Sequence, residues 1–333
     1  MTIIRSRAPF RIEFGGGGTD ISEYFEKHGG FVLNATINKY AYVSLLNFED
    51  GIKINLENKN TVEFPNLKSI KYEGDFDLVS AIVKKMQIEK KEIFLRSDNL
   101  PDSGLGTNGA IACAVLGSIY KHKGIEIKKE KIAEEAYQIA LNELKISGGK
   151  QNQYASAFGG INTIEFRQDG TTLVTPIKIN KNTLRELEKH LILVYVGRRL
   201  NPNNILREQG KESTKANKIE TLNKLKTIAI EMKTSLEKGD TIKFAQLMEK
   251  AWITKKEFNP KMTTHYIDHI YDIAKKSGAI GGRIIGAGGG GHMLFYADSN
   301  KEAELSKKLQ ENGARVVDFS FDIDGLEVWE AQK

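Results

Sequence analysis

Pro101-Asp102-Ser103-Gly104-Leu105-Gly106-Thr107-Asn108-Gly109-Ala110 runs directly into Ile111-Ala112-Cys113-Ala114-Val115-Leu116, an Ala-rich stretch of helical character. Glycines lack a Cβ and let backbone amides come close to an anion. A helix start just behind them adds unpaired first-turn N–H groups and the positive end of the helix dipole. The segment therefore predicts a phosphate cradle, with Pro101, Gly104, Leu105, Gly106, Thr107, Asn108, Gly109 and Ala110 as its contacts. A Gly-rich turn ahead of a packed helix has the same composition, so composition alone leaves both readings open.

Spacing narrows the choice. The strand Ile93-Phe94-Leu95 precedes the loop, but several residues including Pro101 separate them, whereas a dinucleotide turn follows its strand directly. His122-Lys123-Gly124-Ile125-Glu126 also makes a poor second strand, which disfavours a dehydrogenase. The chain has no Gly-x4-Gly-Lys-Ser/Thr string and no protein-kinase signatures, so a nucleotide site here requires a different fold.

At 333 residues the chain exceeds one typical domain, and two domains sharing a cleft are expected, divided as 1–168 and 169–333. Strand-like and helix-like segments mix along both parts, which sets the class as α+β. With 40% hydrophobic and 28% charged residues the composition is that of an ordinary globular protein. No apolar stretch approaches the roughly 20 residues of a membrane-spanning helix, and the first residues lack a signal peptide's apolar run, so a cytoplasmic location without membrane contact is expected. Cys113 is the sole cysteine, which excludes an intrachain disulfide. The net charge of +6 is spread along the chain rather than gathered into a basic arm. Nucleic acid is therefore not an expected partner, whereas a cleft for phosphorylated small molecules suits the surplus.

Two further segments give the loop a context. Arg7-Ala8-Pro9-Phe10-Arg11-Ile12 leads into Gly15-Gly16-Gly17-Gly18-Thr19-Asp20, and a second glycine cluster spans Gly278 to Gly291. In this order the three segments resemble the motifs of the family that joins galactokinase, homoserine kinase, mevalonate kinase and phosphomevalonate kinase. The resemblance implies an S5-like amino-terminal domain and a ferredoxin-like carboxy-terminal domain, with ATP and its acceptor meeting between them. Gly29-Gly30-Phe31-Val32-Leu33-Asn34-Ala35-Thr36-Ile37 and Gly148-Gly149-Lys150-Gln151-Asn152-Gln153-Tyr154 are similar to the D-glycero-D-manno-heptose 7-phosphate kinases within that family. That branch implies ATP and Mg²⁺ as cofactors and a sugar phosphate as substrate. It further implies transfer to the anomeric hydroxyl, feeding GDP-heptose for capsule or lipopolysaccharide. A homodimer is compatible with the reading.

On this resemblance, Arg7, Arg11, Gly17, Gly18, Thr19, Asp20, Lys150, Arg198, Gly288 and Gly289 are expected around the acceptor. Asp20 and Thr19 suit sugar hydroxyls, and Arg7, Arg11 and Lys150 suit a phosphate. Asn152, Lys150 and Arg11 are the expected catalytic residues, and Thr107 and Asn108 the metal contacts. The chain departs from its relatives in ways that bear on rate. They commonly place a carboxylate where Asn152 stands, a metal-binding glutamate about where Ala140 stands and a metal-facing serine where Asn108 stands. An amide cannot accept a proton at neutral pH, so a slowed enzyme is expected, with a non-catalytic sugar-phosphate and nucleotide-binding protein as the alternative. Arg198-Arg199, ahead of Asn201-Pro202-Asn203-Asn204, is expected to face the acceptor phosphate. His265 and His269 read as a coincidence of spacing, His292 as part of the cleft floor, and Trp252 and Trp329 as core.

Overall fold

Along the first strand, Phe10, Ile12 and Phe14 alternate with Arg11 and Glu13, and all five are buried. A strand buried on both faces must have something polar to meet its charged side, and that requirement organises the rest of the chain. The computed structural model describes residues 2–57, 61–72, 74–98, 103–146, 148–199 and 215–332; Pro101 and Asn201 to Asn204 lie outside them.

One sheet contains β1 (Thr2–Gly15), β2 (Gly30–Asn47), β3 (Ile52–Leu56), β4 (Thr61–Phe64) and β5 (Lys91–Ser97), with β6 (Ile161–Phe166) and β7 (Thr172–Pro176) branching from β2. A second, four-stranded antiparallel sheet contains β8 (Leu191–Tyr195), β9 (Ala279–Ile284), β10 (His292–Ala297) and β11 (Arg315–Val317), in the order β11-β8-β10-β9. The last strand, β12 (Glu327–Gln332), returns to pair antiparallel with β1. The first sheet thus takes β7 and β12 from beyond residue 168. Pro9, which has no N–H to give a ladder, sits at a register shift between β1 and β2.

The helices are α1 (Ser22–His28), α2 (Asp77–Lys85), α3 (Thr107–His122), α4 (Lys129–Asn142), α5 (Gln151–Phe158), α6 (Lys181–His190), α7 (Ala216–Glu237), α8 (Thr241–Phe258), α9 (His265–Lys276) and α10 (Glu302–Glu311). Helix α3 is buried along most of its length, as its Ala-rich sequence requires. It starts at Thr107, earlier than the apolar run suggests, so Asn108, Gly109 and Ala110 form its first turn. Trp252 is fully buried as expected; Trp329 is not core but 39% exposed, because β12 is an edge strand.

The two sheets meet through one buried carboxylate. Glu13 of β1 accepts from Arg283 Nη2 of β9 at 2.7 Å and lies 3.4 Å from Lys255 Nζ of α8, while Arg283 Nη1 donates to the Phe14 carbonyl at 2.6 Å. Burial opposes ionisation of Glu13, but Arg283, Lys255 and Arg11 outweigh it and lower it from the usual 4.5 to about 2. A carboxylate held down in this way stabilises the fold above the usual value, and that contribution is lost as the pH falls from about 4.5 towards 2. Glu13→Gln leaves buried cations uncompensated, so a loss of about 3–5 kcal/mol is expected by denaturant unfolding at neutral pH. The variant's stability should also fall less than the unmodified chain's between pH 5 and pH 2, roughly the window set by the carboxylate shift.

Candidate active site

Gly106 caps α3 at φ 75°, and among the described residues no side chain caps the helix end. The first-turn N–H groups therefore face a cleft without a side-chain acceptor of their own, in the left-handed geometry that glycine adopts without strain. Ser103, Gly104, Gly106, Thr107, Asn108 and Gly109 line this cleft, which encloses about 1170 Å³ with its open mouth included. A Cβ on Gly109 would come 2.7 Å from the Asn152 Cβ, so the absence of a side chain there lets α5 lie against α3.

The opposite wall carries Gly18, Asp20 and Ile21 from the β1–α1 turn. Asp20 accepts from the Gly18 N–H at 3.0 Å. Burial raises it above the ordinary carboxylate range, against the pull of that N–H. Arg11 joins the loop to α5: Nη1 donates to the Gly104 carbonyl at 2.6 Å, and Nε and Nη2 both donate to Asn152 Oδ1 at 3.0 and 2.6 Å. The Arg11 N–H also donates to the Leu105 carbonyl at 2.9 Å. One side chain of β1 thereby sets the loop and the head of α5 in register.

Not every expected residue reaches this cleft. Lys150 is a correction: its ammonium lies 3.1 Å from Glu134, donates to the Gly170 carbonyl and sits over the rings of Phe25 and Tyr137, outside the cleft lining. Burial among aromatic rings makes the nearby carboxylate the better partner. Arg7 is another, pairing with Glu327 of β12 over the Tyr40 ring. Thr19 donates its hydroxyl to the Gly16 carbonyl and Gly17 its N–H to Glu13, so both shape the turn from behind. Gly288 and Gly289 pack on Met262, and the cleft instead meets Gly286 and Ala287 of that cluster. Leu105 and Ala110 are buried beneath the loop. Of the arginine pair, Arg198 is exposed and Arg199 is buried and lines the cleft. His292 lies behind the loop, its Nδ1–H donating to the Ser103 carbonyl at 2.8 Å, and burial pushes it down to about 4.

Residues 77–160 and 232–315 match the family models described as the GHMP kinases N terminal domain and the GHMP kinases C terminal. A D-glycero-alpha-D-manno-heptose 7-phosphate kinase of Campylobacter jejuni subsp. jejuni is 32% identical over 338 residues, spanning 99% of each chain. The chain belongs to the GHMP kinases. It is a phosphotransferase with an alcohol group as acceptor, in the two-domain α+β fold expected for it. The solved structure of a D-glycero-D-manno-heptose 1-phosphate kinase from Bacteroides thetaiotaomicron superposes with a TM-score of 0.83 at 28% identity, covering 99% of this chain and 100% of its own. The Lactococcus lactis galactokinase, at 15% identity and covering 98% and 95% of the two chains, shares the fold with a TM-score of 0.79.

Two cleft residues of this GHMP kinase, Glu13 and Lys255, carry charges whose importance sequence reasoning missed. Lys255 continues the apolar stripe of Leu247, Met248, Ala251 and Trp252 along α8, and a lysine on a buried stripe is the signal that marks it. Gly109→Ala is expected to force α5 off α3. Overpacking of this kind costs about 1–3 kcal/mol, and nucleotide affinity measured by calorimetry should fall by at least about tenfold as the loop shifts.

Proposed function

We propose that this kinase transfers the γ-phosphoryl group of ATP to the anomeric hydroxyl of D-glycero-D-manno-heptose 7-phosphate, giving the 1,7-bisphosphate for nucleotide-activated heptose. The observation that carries a transfer reaction is Arg11, which ties the loop ahead of α3 to Asn152 of α5 in a cleft that Gly18 and Asp20 also line. The heptose acceptor is supported by likeness to the Campylobacter jejuni relative over the whole chain.

The residues present fit the phosphates of ATP: the uncapped start of α3 supplies N–H donors, and Gly106 leaves room for an anion. ATP supplies the phosphoryl group, and the chain's own residues position it. Arg11 and Arg199 place positive charge beside the loop, where negative charge must be held during transfer. Asp20 and the Gly18 turn suit sugar hydroxyls on the other side. Asn152 commits its oxygen to Arg11, which leaves its amide N–H groups to orient the acceptor oxygen. The acceptor proton departs without help from this side chain.

A tightly held Mg²⁺ does not fit as well. Beside Thr107 and Asn108 the wall is Ala112, Ala136, Ala140 and Ile146, with no carboxylate among them, and Mg²⁺ sites use carboxylate oxygens alongside the phosphates. Among the described residues no group of three His, Cys, Asp or Glu side chains is placed to hold a metal. The same apolar wall, together with Asn152, favours a slow enzyme.

The test is ADP release across a panel of phosphosugars, beside the Asn152→Asp/Ala140→Glu variant. Heptose 7-phosphate should support turnover, and the double variant should raise it, base assistance alone being worth about 10²–10⁴-fold. Turnover confined to another sugar would overturn the substrate. Binding of ATP and heptose 7-phosphate with no turnover in either form would favour the non-catalytic reading. In a separate measurement, Arg11→Met should lower kcat by about 10²–10³-fold, the usual effect of removing one such electrostatic donor.

A further inference from the structure

Lys255 is 2% exposed yet lines the cleft, and no contact of its ammonium is shorter than 3.1 Å. It lies 3.4 Å from Glu13 Oε2 and 3.5 Å from Oε1, and Oε1 is already committed to Arg283 at 2.7 Å and to the Gly17 N–H at 3.0 Å. Its shortest contact is with a neutral group, the Gly286 carbonyl at 3.1 Å. Gly286 in turn packs on the phosphate loop, since a Cβ there would come 2.9 Å from the Gly104 carbonyl oxygen and 3.1 Å from Arg199 Nη2. Lys255 therefore stands where the loop that receives ATP in the proposed reaction meets the Glu13–Gly17 turn that carries the acceptor wall.

Among the described residues, Arg11, Lys255 and Arg283 are buried here against Glu13 and Asp20, and Arg283 is consumed in holding Glu13 and the Phe14 carbonyl. Burying cations in excess is costly unless an anion completes the set. We propose that Lys255 is a catalytic residue whose ammonium leaves Glu13 and the Gly286 carbonyl to contact the phosphoryl group in transit between ATP and acceptor. Burial draws this ammonium down to about 8 in spite of Glu13, so an arriving phosphoryl oxygen would give it an anionic partner in place of the Gly286 carbonyl. The assignment rests on the kinase reading above. It deepens that reading by naming a cation, supplied from α8, that acts on the transferred group itself. The bonds made and broken are those of the kinase reaction: the acceptor oxygen joins the γ-phosphorus as the bond from that phosphorus to the ADP oxygen breaks, the hydroxyl proton passes to solvent water, ADP leaves, and Lys255 keeps its protons throughout.

A purely structural lysine would affect ADP and a triphosphate alike, so the two ligands separate the roles. Calorimetry on the full chain should show Lys255→Gln, which keeps donors for Glu13 and Gly286, binding β,γ-imido-ATP at least about tenfold more weakly and ADP within about twofold. Lys255→Met should behave the same way, with a further fall in kcat. On the unmodified chain, the Lys255 ammonium resonance in ¹⁵N spectra should move when the triphosphate is added and stay in place with ADP, which keeps the idea testable if the variants fail to fold. Equal weakening of both ligands, unchanged affinities, or a resonance indifferent to the triphosphate would overturn the assignment. A chain that binds neither nucleotide overturns the kinase reading and this assignment with it; one that binds both and treats them alike overturns the assignment alone.

Discussion

A single buried carboxylate, Glu13, holds the architecture of the cleft together. It projects from the polar side of β1, and Arg283 and Lys255 reach it from the second sheet and from α8. An isolated buried charge would be prohibitively costly, so packing the two sheets over Glu13 needs a buried cation beside it, which Arg283 supplies at 2.7 Å. Because Arg11 leaves β1 two residues before Glu13 on the same face, the packing that satisfies Glu13 also delivers Arg11 to the phosphate loop and to Asn152. Fold and site thus share one strand.

Much of this was legible from residue order. Glycines ahead of an Ala-rich run located the cradle, because their lack of a Cβ and the helix start are local properties. The branch motif around Gly149 placed Asn152 at the cleft, and Asp20 followed from the first glycine cluster. The failures share a cause. Lys150, Arg7, Gly288 and Gly289 sit within or beside site motifs, yet side-chain direction in the folded chain depends on partners distant in sequence. Glu134 claims Lys150, and Glu327, on the last strand, claims Arg7. The converse holds for Lys255, whose neighbours in sequence are helix-core residues and whose role emerges only when α8 packs on β9 beneath the glycine cluster.

The positions at which the sequence is expected to depart from its relatives, Asn108, Ala140 and Asn152, all line the cleft, and Asn152 offers an amide rather than a carboxylate. Positioning and electrostatic stabilisation survive such changes, since they depend on the α3 N-terminus, Arg11 and the buried cations rather than on a proton acceptor. On the function proposed above, a cleft with its cations in place and an amide at Asn152 would bind both substrates and transfer slowly.

Phosphorus NMR of the unmodified chain incubated with ATP, Mg²⁺ and heptose 7-phosphate addresses that conclusion most directly. A new anomeric phosphomonoester resonance, growing in step with ADP and absent without protein, is the predicted result. An unchanged ATP spectrum after prolonged incubation, or free inorganic phosphate as the sole product, would contradict it.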